Sequence, residues 1–329
     1  MDSNGLTRRD ALAWSALGLS GLAAVPAWAQ QDFPNRPLRM VVPYAAGGGT
    51  DVIGRLVANK LAERWKQPVV VDNKPGAGGV LGNDMVAKAP ADGYTILMGI
   101  TVLAQHPALM AKLPYDVTRD LYPLAIAARS ADLFMVHKDV PANTVAEFVA
   151  LAKANPRDYA LGSYGNGTSG HIHSAMLNQQ AGLDLAIPHY KGAAPVMADL
   201  MGGQIRAAFM DSTTAQPQVN SGRVKVLAVT GARRSPLAPN APTFTELGFK
   251  SFEPFGWFAL FTQAATPPAT AKKLSDECNA ILALPEVRKR LEELGLQPGG
   301  EPQAEWAREM QRDIGIWGDV IRAANIRVE

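Results

Sequence analysis

Twice in this chain of 329 residues a β-strand pattern opens through a glycine-rich loop directly onto a helix, and that repetition restricts the fold more than any other feature. The first copy runs from the β-branched segment 38–42 through Tyr44-Ala45-Ala46-Gly47-Gly48-Gly49-Thr50-Asp51. Ile53, Leu56, Val57 and Leu61 then follow at helical spacing up to Trp65. The second runs from Tyr159-Ala160-Leu161-Gly162 through Ser163-Tyr164-Gly165-Asn166-Gly167-Thr168-Ser169-Gly170 into Ile172, Ala175, Met176 and Gln179, stopping at Gly182. Strands alternating with helices predict an α/β architecture with mainly parallel sheets, whose ligands sit beyond the carboxyl ends of the strands.

The same alternation continues elsewhere. Further strands are expected at 69–71, 94–98, 133–136, 187–190, 207–210, 224–229 and 257–262, with helices at 195–201, 269–284 and about 301–324. At about 150 residues per domain the length allows two lobes. One is expected over 32–130 completed by 255–329, and the other, 131–254, inserted between them. The apolar strands near Phe134 and Phe258 would make the crossings, and a cleft between lobes would enclose a small ligand.

Residues 1–29 read differently. Thr7-Arg8-Arg9-Asp10 precedes an uncharged run that ends in Ala27-Trp28-Ala29, the pattern of an export signal with a small-residue cleavage site. Arg8-Arg9 followed by Leu12 suggests the twin-arginine route. The run from Ala11 to Val25 is shorter than a bilayer span, so a soluble, periplasmic mature protein is expected, with no lipid anchor. Lys+Arg 32 against Asp+Glu 30 gives a net charge of +2, which argues against a nucleic-acid partner. The single Cys278 leaves no disulfide and no thiolate metal cage.

Each glycine loop presents a helix N-terminus, where unpaired N–H groups and the helix dipole favour anions. Gly47, Gly48, Gly167 and the hydroxyls of Thr50, Thr168 and Ser169 are therefore candidate donors, although Thr50 and Ser169 serve equally well as helix caps. Neither loop holds Lys or Arg, and no phosphate-loop motif exists, so a carboxylate fits better than a nucleotide. Gly165-Asn166-Gly167-Thr168-Ser169-Gly170 satisfies a dinucleotide pattern, but its expected acid, Asp184, precedes the next strand. No cofactor is expected. His171 and His173 lie two positions apart on one helix and diverge, so no metal site is expected, and His106, His137 and His189 are read as surface or cleft-wall residues. Asp211 either receives a ligand amine or water, or caps Ser212-Thr213-Thr214. Tyr44, Tyr164 and Trp257 either line the pocket or pack.

Many segments, in order, resemble the Bug-type periplasmic solute receptors of tripartite tricarboxylate transporters. They include Val41-Val42-Pro43-Tyr44-Ala45-Ala46-Gly47-Gly48-Gly49-Thr50-Asp51, Val71-Asp72-Asn73-Lys74-Pro75-Gly76-Ala77-Gly78-Gly79 and Pro90-Ala91-Asp92-Gly93-Tyr94-Thr95. Gly165-Asn166-Gly167-Thr168-Ser169, His189-Tyr190-Lys191-Gly192 and Asp199-Leu200-Met201-Gly202-Gly203-Gln204 belong to the same series. The resemblance covers 32–329. It implies a two-lobed type II periplasmic binding fold that closes over a small organic carboxylate and delivers it to membrane permease subunits, acting as a monomer without catalysis. It implies ligand contacts from Tyr44, Ala46, Gly47, Gly48, Thr50 and Asp51 in the first loop. In the second loop it implies Ser163, Tyr164, Asn166, Gly167, Thr168 and Ser169, with Thr101, Tyr190 and Asp211 nearby. His106 and the bulky Tyr164 depart from the family pattern and leave the identity of the acid open. Two rival readings remain at this point: a hydrolase or isomerase using Ser169 or His171, and a ligand sensor for a membrane kinase.

Overall fold

The computed structural model describes residues 33–326, and the expected export signal at 1–29 lies outside them. From Arg36 onward the chain packs as one unit built on two sheets. β1 (Leu38–Val42) leads through the first glycine loop into α1 (Gly49–Trp65). β2 (Val69–Asn73), α2 (Val80–Ala87), β3 (Thr95–Ile100), α3 (Val102–Leu109) and a single turn α4 (Val117–Asp120) follow. Then come β4 (Leu121–Ser130), β5 (Asp132–His137), α5 (Val145–Ala154), the short β6 (Leu161–Gly162) and α6 (Ser169–Ala181). α7 (Ala193–Met201), β7 (Ala207–Asp211), α8 (Ser212–Ala215) and β8 (Val224–Val229) continue the chain. It ends with β9 (Gly256–Gln263), α9 (Pro268–Leu282), α10 (Pro285–Glu293), β10 (Gln297–Pro298) and α11 (Gln303–Ala323).

The first sheet has the order β10-β4-β9-β3-β1-β2 and the second β6-β7-β5-β8. The expectation of mainly parallel sheets is corrected, because both sheets are mixed. β1 runs parallel to β2 and β3, and β6 parallel to β7, whereas β9 is antiparallel to β3 and β4, β4 to β10, and β5 to β7 and β8. The cause is the returning chain: β9 inserts between β3 and β4, and β5 occupies the centre of the second sheet against its direction.

Other differences also have local reasons. The crossings are not inside the strands at Phe134 and Phe258. β4 of the first sheet runs into β5 of the second with only Ala131 between them, and Gly256, where the chain returns, pairs with Ser130. β4 escapes a sequence reading because Pro123 and its alanines give little β signal; the strand bulges past Pro123, where a ladder donor is missing. Residues 187–190 form only a bridge between Ser163 and His189, since Pro188 offers no N–H. Pro285 splits the C-terminal helical stretch and starts α10, a helix absent from the expectation. α6 stops at Gly182, whose φ of 61° caps it as expected.

The second sheet is anchored by an aromatic cluster in which Phe244 stacks on Phe252 at 4.4 Å, and Phe209 and Phe134 pack alongside. Under the first sheet, Trp257 meets Trp306 of α11 edge-on at 5.0 Å, and α11 lies along α3 and β4. These two rigid cores leave the glycine loops at the boundary between the sheets.

Candidate functional site

At that boundary lies a cavity of about 40 Å³, room for about three waters. Its first-sheet wall comprises Tyr44, Gly48, Gly49 and Thr50 from the first glycine loop and α1, Ile100 at the end of β3 with Thr101 after it, and Gly256, Trp257 and Phe258 of β9. Its second-sheet wall comprises Asp132, Tyr164, Ser169, Ala193 and Asp211, with Ser130 at the crossing.

Both expected helix N-termini reach this one cavity. Thr50 in the first turn of α1 is 6% exposed, and among the described residues nothing pairs with its hydroxyl. Ser169 opens α6, and its Oγ accepts a hydrogen bond from Gln105 Nε2 at 2.8 Å, which aims the hydroxyl's own proton elsewhere. The loops themselves do not meet each other as a pair. The first packs on 191–194, with Ala45 N donating to Lys191 O at 2.9 Å, while Gly49 N donates to Thr214 Oγ1 at 3.1 Å. The second packs against the other glycine turn: a Cβ on Gly78 would come within 1.9 Å of Asn166 O.

The inner wall is acidic. Asp132 and Asp211 are register partners across β5 and β7, both are buried, and both line the cavity. Tyr164 donates to Asp132 Oδ2 at 3.1 Å, and His173 Nδ1 lies 2.9 Å from the same oxygen. Asp211 Oδ1 accepts from Thr214 N at 3.0 Å, so it caps the turn and faces the cavity at once. Burial, with the charge of Asp132 adding to it, pushes the Asp211 carboxyl up to about 6. Burial and then the Asp132 and Asp211 charges push the Tyr164 phenol well above 10.0. Among the residues lining the cavity there is no Lys, Arg or His.

Of the residues expected at the site, Tyr44, Gly48, Thr50, Thr101, Tyr164, Ser169 and Asp211 line the cavity, as does Trp257, which was weighed as pocket wall or packing, and the others do not. Ala46 and Gly47 are exposed. Asp51 is spent on the loop: it accepts from Gly47 N, Arg55 Nε and Asn73 Nδ2 at 2.9–3.0 Å. Burial raises its carboxyl, but these bonds outweigh burial and hold it below its ordinary value. Ser163 and Thr168 both donate to Gly165 O, at 2.9 and 2.7 Å, and shape the second loop. Gly167 N donates to His171 Nδ1 at 3.1 Å, and Asn166 contributes backbone to the contact with Gly78. Tyr190 donates to Asp199 at 2.7 Å away from the cavity. Thr101 Oγ1 accepts from Trp257 N at 2.6 Å and ties β3 to β9.

Sequence reasoning passed over Asp132, Ser130, Ile100, Ala193, Gly256 and Phe258. The signal for Asp132 was present, a lone acid at the head of the apolar run Leu133-Phe134-Met135-Val136. His106, expected on a surface or cleft wall, is instead fully buried beside Gly167, and burial lowers it to about 4. Ser169 turns to Gln105, while His171 turns to Gly167 and stacks edge-on against His189 at 4.6 Å, so they form no nucleophile–base pair. Among the described residues no group of three His, Cys, Asp or Glu is placed to hold a metal ion.

Comparison with known proteins gives this geometry its context. Residues 53–326 match the family described as tripartite tricarboxylate transporter family receptor. BugT of Bordetella pertussis is 31% identical over 326 residues, 98% of this chain and 99% of that protein. The periplasmic binding protein BugD superposes with a TM-score of 0.86 at 31% identity, covering 90% of this chain and all of BugD. An R. palustris protein solved with adipate superposes with a TM-score of 0.85 at 31% identity over 90% of this chain and 100% of that one. The two-sheet α/β fold is thus that of periplasmic binding proteins, and no helix among the described residues is long and apolar enough to cross a membrane. The chain belongs to the tripartite tricarboxylate transporter receptor family, and it is a solute-binding receptor, not an enzyme.

Proposed function

We propose that the protein is exported to the periplasm, captures a small organic carboxylate between two lobes, and delivers it to the membrane permease subunits of a tripartite transporter. The observation that carries this reading is the convergence of two helix N-termini, at Thr50 and Ser169, on one cavity where the Thr50 hydroxyl has no protein partner. Such ends supply N–H and O–H donors without mobile cations, which suits a carboxylate. The related receptor solved with adipate supports the same ligand class.

The lobes are taken as 32–130 with 255–329, and 131–254, a division supported by the sheet membership of their strands. Asp51, Ser163, Asn166, Gly167, Thr168 and Tyr190 act by shaping the loops, and Thr50, Thr101, Tyr164, Ser169 and Asp211 contact the ligand. The cavity is walled by both sheets, so an acid enters when the lobes part and is held when they close over it, and binding selects between the open and closed arrangements. Transport is read with a monomeric receptor.

A thermal-shift screen against organic acids tests the reading. A ligand held only by the native state at 100 times its Kd adds about 2.7 kcal/mol. A rise in Tm with the acid recovered unchanged is the expected result; no rise with any acid refutes carboxylate capture.

A further inference from the structure

Two buried carboxylates on the wall of a cavity that no basic side chain lines are unfavourable for an anionic ligand alone. From this we infer that the ligand is an aminocarboxylate: its carboxylate sits at the Thr50 and Ser169 helix ends, and its cationic nitrogen sits against Asp132 and Asp211.

The inference rests on the carboxylate reading and adds the second half of the ligand. Four observations place it. Asp132 and Asp211 face each other in register across β5 and β7, on the opposite sheet from Thr50. Asp132 is held in place by Tyr164 Oη at 3.1 Å and His173 Nδ1 at 2.9 Å, and so presents a fixed acceptor. Thr50, more than nine-tenths buried with an unpaired hydroxyl on the cavity wall, marks the other end as a place for a ligand acceptor. Tyr44, Trp257 and Phe258 also line the cavity, so no further charged group of the protein competes for the ligand's nitrogen on that side. The elevated carboxyl of Asp211 fits this arrangement, since a buried acid beside another acid gains most from an incoming positive charge. A buried charge pair formed across such a site is expected to change affinity by about tenfold or more.

The test uses the purified full-length protein and matched probes measured by calorimetric titration. Leucine, phenylalanine, aspartate and glutamate are each compared with the acid that lacks the amino group, and leucine and phenylalanine also with the amine that lacks the carboxylate. In at least one series the amino acid is expected to bind about tenfold or more tightly than the deaminated acid. Asp132→Asn and, independently, Asp211→Asn should lower that amino acid's affinity about tenfold while leaving the deaminated acid unchanged or tighter. If Asp132→Asn does not fold, Asp211→Asn carries the test alone. Deaminated acids that bind as tightly as their amino acids in every series, or Asn variants that bind the amino acid as the native protein does, overturn the inference and leave the carboxylate reading standing. Binding by the amines alone overturns the carboxylate reading and retains the acidic seat for nitrogen. Silence from every probe overturns both.

Discussion

Replacing Asp211 by Asn should stabilise the ligand-free protein at neutral pH, an unusual outcome for a buried polar site. The folded-state carboxyl is pushed from 3.8 to about 6, first by burial and then by the nearby Asp132 charge. A raised carboxyl means that the native state holds its proton more tightly than the unfolded chain does. Ionisation therefore costs stability, the loss developing as pH rises from about 3.8 to about 6 and complete above that. At 1.36 kcal/mol per pH unit, the difference between 3.8 and about 6 corresponds to about 3 kcal/mol at pH 7.5. Asn keeps an oxygen to accept from Thr214 N, so the turn cap survives while the charge is removed. Urea denaturation of both proteins at pH 7.5 and pH 4.0 measures the effect. The Asn variant should be more stable by up to about 3 kcal/mol at pH 7.5, with the gap falling below about 1 kcal/mol at pH 4.0. An Asn variant no more stable than the native protein at pH 7.5, or a gap of equal size at both pH values, would refute the reasoning.

Thr168→Ala should cost about 0.5–1.5 kcal/mol of stability by removing the bond to Gly165 O, with little change in ligand affinity, whereas Thr50→Val should weaken ligand binding and spare stability; titration and urea denaturation of the two variants separate these roles. Gly78→Ala places a Cβ within 1.9 Å of Asn166 O at a φ of 63°, so it should lower stability by about 1–3 kcal/mol, and an unchanged urea midpoint would show that the loops do not press together there. Phe252→Ala removes the ring stacked on Phe244 at 4.4 Å and should cost about 3–5 kcal/mol by the same measurement, a smaller loss meaning that the aromatic cluster closes over the gap.

Local rules made much of this molecule legible. Leu38–Val42 and Val224–Val229 are strands as their β-branched runs require, and Gly182 ends α6 because only a left-handed residue closes that turn. The glycine loops announced two helix ends, and both reach the cavity. What local pattern could not carry was direction and depth. Whether β9 runs parallel or antiparallel to β3 depends on a return from the other sheet, which no window of sequence records. The hydroxyls of Thr50 and Thr168 look alike in sequence, both beside glycines at a helix start. Only the turn geometry commits Thr168 to Gly165 O and leaves Thr50 free. Asp132 was hidden for a related reason: its importance comes from Tyr164, His173 and Asp211, which belong to the second glycine loop, α6 and β7.

The position of the cavity gives these residues a common purpose. Ser130, Asp132 and Gly256 are wall residues and also the points where the chain passes between sheets. On the proposed reading, a ligand that bonds Thr50 on one side and Asp132 or Ser169 on the other would make its full set of contacts only when the sheets are close, and its binding energy would differ between open and closed arrangements. On that reading, side chains that form cross-sheet bonds among themselves would favour the closed arrangement without ligand. Gln105 Nε2 to Ser169 Oγ is one such bond, and Gly49 N to Thr214 Oγ1 adds a backbone one, but both join neutral partners and stay modest. On the proposed reading, Asp132 and Asp211, two buried acids without a basic side chain on the cavity wall, would have the opposite influence, penalising an empty closed site and favouring one filled by a complementary charge.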